Sequence, residues 1–453
     1  MLNPTLETDR RECYSSAVNP QWTRLLDVLS MNVRYARCEG VELITDDGRC
    51  ILDFLSGYCV HNVGHNHPRV IAALEDELER RGPAMLQSHV PESAGALAER
   101  LTAKAGGALK KVFFASSGSE GVEAAIKFSR AHTGRRHLLY ANGAFHGLTC
   151  GALSLMGDPF WREGFGLMLP DTASVDFGNL ESLERQLNTR QFAMFIVEPV
   201  QAEAGIRLPG PEYLRAAQAL CRRTDTLFVL DEVQTGMYRT GRFLASQNYG
   251  AEADMVVMAK ALSGGLVPVG AVLMTEPVYQ SVYSSLKRSI IHASTFGENA
   301  LSMRAALATL DVLDEERLGE RATAKGELLR SRLSEALAGY EMVKEVRGLG
   351  LLSGIEFRAP RSLALRLAFE SFMAIHPAMF GQIVVMRLFR DHNILTQICG
   401  NNHLVLKAAP PLTVEDSQID RFVGALSGVV KQMHESTAFW TEALGLARRV
   451  VNI

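Results

Sequence analysis

Three short segments carry residues whose types and spacing could do chemistry together. Lys260 ends the apolar run MVVMA and opens the small-residue segment ALSGGLVPVGA. A lysine at the end of a buried strand is costly unless its charge is paired or its pKa lowered. A desolvated amine of that kind suits Schiff-base formation with a carbonyl. Asp231, 29 positions earlier, ends a second apolar run, TLFVL. A carboxylate at the same sheet edge can keep a pyridine nitrogen protonated, which makes the ring an electron sink for carbanions. In SSGSEGVEAAIK, Ser117, Gly118 and Ser119 open a helical pattern. Small residues there permit close backbone approach, and the free N–H groups and positive dipole end can receive a phosphate. Taken singly, each has an ordinary reading: a surface lysine at a strand end, a loop-capping aspartate, and a serine N-cap with Glu120 in the first turn.

Other motifs point away from rival chemistries. The phosphate-loop pattern GxxxxGK[ST] is absent, and GLGLLSG at 348–354 leads into a strand rather than a helix, so it is no dinucleotide fingerprint. His61, His65 and His67 in HNVGHNHP invite a metal reading. The Gly64 turn and Pro68 instead favour a helix start with His67 near its N-cap, and no metal site is expected.

The elements that must position these residues show in the hydrophobic pattern. From about 110 to 300, apolar runs (KKVFFAS, AMFIVEPV, TLFVLDE, DMVVMAK) alternate with helical stretches such as GVEAAIKFSRAHTG and YLRAAQALCRR. That alternation predicts a largely parallel sheet covered on both faces, with ligands gathering where strands end and loops begin. Helical sequence follows to about 340, then glycine-punctuated strands (VRGLGLLSGIEF, HLVLKAAPPLTV), which predicts a second, α+β region. Near the N-terminus, GVELITDDGRCILDFL reads as a meander turning at DDG.

Composition bounds the function. The chain has 453 residues, 47% hydrophobic and 21% charged, enough for a sizeable core. Its net charge of −3 leaves no basic excess for a phosphate backbone, so nucleic acid is not an expected partner. The seven cysteines form no CxxC pair and no zinc spacing, consistent with reduced thiols. The opening MLNPTLETDRREC is charged where a signal peptide needs an apolar core, and no uncharged run reaches the roughly 18 residues that span a bilayer. The expectation is a cytoplasmic protein with no membrane span.

Together the segments resemble class III, or ornithine/acetylornithine-type, aminotransferases of fold type I, which use pyridoxal 5'-phosphate (PLP). The resemblance runs from DFLSGYCVHNVGHNHP to VLKAAPPLTV. It is most specific in LDEVQTGMYRTG followed by DMVVMAKALSGG, with SSGSEGVEAAIK, GAFHG, EPVQAEAG, HASTFGEN and VRGLGLLSGIEF in the expected order. It implies an α/β fold: a large domain with a mostly parallel seven-stranded sheet plus a smaller α+β domain. The implied division is 1–80 as an N-terminal segment contributing to the small domain and dimer interface, 81–315 as the PLP-binding domain, and 316–453 as the small domain.

The resemblance also implies roles. Lys260 would carry PLP as a Schiff base and shuttle a proton as general acid/base, Asp231 would pair with the pyridine nitrogen, and Gln234 would lie near the phenolic oxygen. Val233 and Phe145 would sandwich the ring, with His146 also in the cofactor site, and Ser117, Gly118 and Ser119 would hold the phosphate. Thr295 would reach the phosphate of a neighbouring subunit, making a homodimer the minimum active unit. The reaction implied is transfer of an amino group from an amino-acid or amine donor to an aldehyde or ketone, in two half-reactions at one site. Class III also contains racemases, aminomutases, decarboxylases and phospho-lyases, so another PLP reaction is the alternative; a catalytically silent binding protein of the same fold is a more distant one.

The substrate end departs from the family pattern. Members that handle glutamate commonly carry arginine where this chain has Leu148 and Lys407. Lysine keeps the charge but loses the planar two-point grip on a carboxylate, and Leu148 offers a wall suited to an apolar chain. Glu203 matches the glutamate that pairs with the missing arginine; with Lys407 it reads equally as a switching pair or as a fixed ion pair. Tyr58 stands where ornithine aminotransferases place a substrate-contacting tyrosine, or it simply packs. The apolar stretch at 360–390 reads first as small-domain core, and as a lining of the active-site mouth in the alternative.

Overall fold

Turn chemistry and burial together account for the meander that precedes the main sheet. β1 (Tyr35–Glu39), β2 (Glu42–Thr45) and β3 (Cys50–Asp53) pair antiparallel, and Gly48 closes the β2–β3 turn at φ +82°. The computed structural model describes residues 9–86 and 88–451; the first eight residues of the charged opening MLNPTLETDRREC lie outside the described residues.

Seven strands then build one sheet: β4 (Leu109–Ala115), β5 (His137–Ala141), β6 (Thr172–Val175), β7 (Phe192–Val197), β8 (Leu227–Asp231), β9 (Met255–Met258) and β10 (Gly270–Thr275), in the order β4-β10-β9-β8-β7-β5-β6. β5 to β9 pair in parallel, and β10 runs antiparallel to both neighbours. Every residue of β7, β8 and β9 is buried. They are covered on both faces, which is why FAMFIV, LFVLD and MVVM read as continuous apolar runs. One cover is the helix Gly118–Thr133, whose small residues bring it close: a Cβ on Gly121 would fall 2.7 Å from Val257 Cγ1.

The C-terminal strands are β11 (Val343–Leu349), β12 (Leu352–Phe357), β13 (Ile394–Leu395), β14 (Gln397–Cys399) and β15 (Asn402–Ala408). Four form an antiparallel sheet, β11-β12-β15-β14, while β13 pairs parallel with β3 and so completes the N-terminal sheet. The 360–390 stretch folds into helices Leu363–Ile375 and Met379–His392. They bury Phe369, Phe372, Phe380, Val384 and Leu388 in the core, as core packing requires. Among the described residues no single helix is long and apolar enough to cross a membrane; these two together pass on length and composition, but they bend by 105° between them.

Chain direction places the chemistry. The loops after β4, β5, β7, β8 and β9 all leave the same, C-terminal edge of the parallel strands, where Ser117, Phe145, Asp231 and Lys260 sit.

Candidate active site

At that edge lies a cavity of ≈ 500 Å³, within the roughly 300–1,000 Å³ range of ligand sites. Ser117, Gly118, Ser119, Phe145, His146, Asp231, Val233, Gln234 and Lys260 all line it. Nine of the residues singled out from the sequence are thus brought to one place. Tyr58, Leu148, Glu203, Lys407 and Thr295 are not in the lining.

The phosphate end follows from helix capping. Ser117 is the N-cap of Gly118–Thr133 and its Oγ accepts from the Glu120 N–H at 3.2 Å, while Glu120 Oε2 accepts from the Ser116 N–H at 2.7 Å. This is the ordinary serine cap, and it leaves the first-turn amides of Gly118 and Ser119 facing the cavity end. Two glycines make the approach possible. A Cβ on Gly118 would lie 2.9 Å from Val233 Cγ2, and one on Gly147, at φ +119°, would lie 2.2 Å from Ser119 Oγ. Gly147→Ala is therefore expected to displace Ser119, at a cost of about 1–3 kcal/mol in overpacking, and to weaken cofactor retention more than tenfold; dialysis followed by absorbance titration checks it.

At the ring end, Asp231 is buried and held on both oxygens: Oδ2 faces His146 Nδ1 at 2.8 Å and Oδ1 accepts from the Val233 N–H at 3.0 Å. Among the described residues, His146 Nε2 is buried without a partner. Lys260 sits just beyond β9 with a left-handed backbone at φ +47°, and its Nζ donates to Gln234 Oε1 at 3.0 Å. Burial pulls its ammonium below the ordinary lysine range, against the opposing pull of Glu203 and Asp231. The residues fit PLP: an amide-rich helix start for a phosphate, a fixed carboxylate, an apolar and an aromatic wall in Val233 and Phe145, and a desolvated amine.

A polar chain leads outward from the cavity. Gln234 Nε2 donates to Glu203 Oε1 at 3.2 Å, Lys407 Nζ bonds the same oxygen, and the Gly400 N–H bonds Glu203 Oε2 at 2.8 Å. Lys407 is fully buried, with its Nζ 5.0 Å from the centre of the Tyr58 ring. Burial alone would lower the Lys407 pKa, but the charge and hydrogen bond of Glu203 lift it above the usual value. Burial would likewise raise Glu203, yet Lys407 and the Gly400 amide hold it low. Tyr58 is carried on consecutive left-handed residues, Ser56 to Cys59, with φ between 48° and 66°. Leu148 is 54% exposed beside the helix start, its N–H 3.4 Å from Ser119 Oγ, and Thr295 is exposed.

Sequence reasoning passed over Glu198, which also lines the cavity. Its signal was available: an acid directly after FAMFIV, at the same edge as Asp231 and Lys260.

Comparison with known proteins gives the family and the fold. The family pattern "Aminotransferase class-III" matches residues 26–430. The aminotransferase PigE of a Serratia species is 35% identical over 94% of the chain, which spans 54% of that relative's length. The putrescine aminotransferase of Pectobacterium atrosepticum is 36% identical, covering 93% of this chain and 88% of that one. An ornithine aminotransferase structure from Toxoplasma gondii, with partial occupancy of PLP at its active site, superposes with a TM-score of 0.80 at 27% identity, covering 96% of this chain and all of that one.

Proposed function

The chain belongs to the class-III aminotransferases, and from that premise we propose that it transfers an amino group from an amine or amino-acid donor to an apolar aldehyde or ketone. PLP, the cofactor of the family, supplies when bound an electron-withdrawing ring and a carbonyl carbon able to exchange amines. The protein's part is to hold and to move protons. The Gly118 and Ser119 amides and the flanking serines would hold the phosphate; Asp231, fixed by His146 and the Val233 amide, would pair with the ring nitrogen; Phe145 and Val233 would take the two ring faces. Lys260, its charge disfavoured by burial, would take a proton from the donor carbon that bears the nitrogen and hand it to the cofactor's carbonyl carbon in the first half-reaction, and would run the same transfer in reverse in the second.

One observation carries the substrate assignment: the Glu203 carboxylate is occupied by Lys407, Gln234 and the Gly400 amide. Lys407 is thereby spoken for, and with Leu148 where a second cation would stand, neither of these positions offers a free two-point grip on a substrate carboxylate. This supports an acceptor without an acidic group, and a fixed rather than switching Glu203–Lys407 pair. A homodimer belongs to the same proposal. Thr295 is exposed and away from its own chain's cavity, in a segment where Leu286 and Ile290 are 95% and 81% exposed, which supports a role toward a second copy. The division at 1–80, 81–315 and 316–453 is part of the proposal as well, and the joining of β13 to the N-terminal sheet supports a shared small domain.

The test is a panel of donors, including putrescine, ornithine, glutamate and alanine, against straight-chain aldehydes, methyl ketones, pyruvate and 2-oxoglutarate. With an amino-acid donor, release of the oxo acid is followed. The apolar aldehydes are expected to give the highest kcat/KM, rising with chain length. Preference for 2-oxoglutarate over every uncharged acceptor would overturn the assignment.

A further inference from the structure

Glu198 is a buried carboxyl in the cavity to which the mechanism above gives no task. It follows β7 directly, and the register Val197↔Leu230 between parallel β7 and β8 sets it beside Asp231. It is 6% exposed, and it lines the cavity. A buried carboxyl beside a carboxylate is disfavoured as an anion. Which one holds the proton is decided by partners. Asp231 has the His146 imidazole and the Val233 amide at 2.8 and 3.0 Å. Glu198 has one long bond, from the Phe145 N–H to Oε2 at 3.2 Å.

The cations nearby are committed elsewhere. Lys260 Nζ bonds Gln234, and Lys407 bonds Glu203; no ion pair to Glu198 exists among the described residues. Burial first, and the charge of Asp231 next, push Glu198 well above the ordinary carboxylate range; Glu203 acts in the same direction, and only the Phe145 amide and Lys260 oppose. Oε2 accepts from the Phe145 N–H, which leaves the second oxygen to carry the hydroxyl.

We infer that Glu198 is held as a neutral carboxylic acid whose O–H is presented to the bound cofactor, leaving Asp231 as the single carboxylate at the ring end of the cavity. The inference rests on the PLP reading of the site. Glu198 is a positioning residue for the cofactor: it supplies a hydrogen-bond donor without a charge, and so keeps the proton affinity of the lysine–cofactor nitrogen set by Asp231 and Lys260 alone.

The experiment uses the PLP-loaded enzyme. Glu198→Gln keeps the shape and a donor, so the pH midpoint of the visible absorption band and the PLP affinity are expected to stay within about twofold of the parent. Glu198→Met removes the donor, and PLP affinity is expected to fall about tenfold, the worth of one hydrogen bond, with the fold checked by circular dichroism. In the infrared, a carboxylic-acid C=O stretch that shifts in heavy water is expected in the parent and missing from Glu198→Gln. A drop of a full pH unit in the band midpoint of Glu198→Gln, or no such infrared band in the parent, would mean an ionised Glu198 and overturn the inference. Unchanged PLP affinity in Glu198→Met would overturn the donor role. A parent enzyme that forms no visible band with PLP would sink the cofactor reading itself.

Discussion

Lys260→Ala is expected to abolish turnover and to remove the visible absorption band of the lysine-bound cofactor while PLP still binds. Loss of acid–base catalysis alone accounts for about 10²–10⁴-fold, and the covalent attachment that Lys260 provides disappears with it. No other amine stands ready. Lys407 is sealed against Glu203 beneath the Tyr58 ring, and Lys260 is the one lysine lining the cavity among the described residues. Alanine also removes the contact to Gln234 Oε1, which leaves the phosphate end untouched, so cofactor retention is expected to weaken far less than turnover. Single-turnover assays with a labelled donor, with and without added methylamine, check the assignment: the small amine is expected to restore a measurable fraction of the proton-transfer rate. Full activity in the variant would remove Lys260 from the mechanism altogether.

What the sequence made legible is the part set by local pattern. β7, β8 and β9 are buried on both faces, so they announce themselves as apolar runs, and the residues at their ends follow. Ser117 could be placed because an N-cap has a strong local preference, and His67 because Pro68 marks the first helical position: its Nδ1 accepts from the Arg69 N–H at the start of Pro68–Arg80. What stayed hidden depends on chain segments far apart. Glu203 and Lys407 are matched by family resemblance, but that Gln234 and the Gly400 amide complete the carboxylate's partners follows only from how β14 and β15 turn back onto the 200–206 loop. Arg239 is hidden in the same way. It is fully buried and bonds the carbonyls of Leu351 and Pro410, Ser56 Oγ and Asn62 Oδ1, joining three distant segments behind the turn that carries Tyr58. The left-handed run Ser56–Cys59 contains one glycine, and nothing in SGYC marks its other residues for that conformation.

Lys407→Met is expected to destabilise the fold by about 3–5 kcal/mol, because it leaves the buried Glu203 charge without its cation. Lys407 is 0% exposed, so solvent does little to soften the loss. The double variant with Glu203→Gln is expected to recover most of it, since replacing both members of a buried pair is far less costly than breaking it. The pH dependence has a definite sign. In the parent, Glu203 lies below its ordinary value and Lys407 above. The pair therefore contributes fully between the unfolded carboxylate and lysine values, roughly pH 4.3 to 10.4. That contribution is lost as pH falls through the depressed Glu203 value, or rises through the elevated Lys407 value. In Lys407→Met the buried carboxyl without a cation moves above its unfolded value, so protonating it relieves the fold: the deficit relative to the parent is expected to shrink as pH falls from 8 toward 5. Urea unfolding of the parent, both single variants and the double at the two pH values measures the cycle. A deficit near 4 kcal/mol that shrinks with acid marks a fixed pair, one that does not open for a substrate carboxylate. A deficit below about 1 kcal/mol, the scale of an exposed pair, would show that Glu203 readily leaves Lys407, and an acidic acceptor would then regain its place in the substrate assignment.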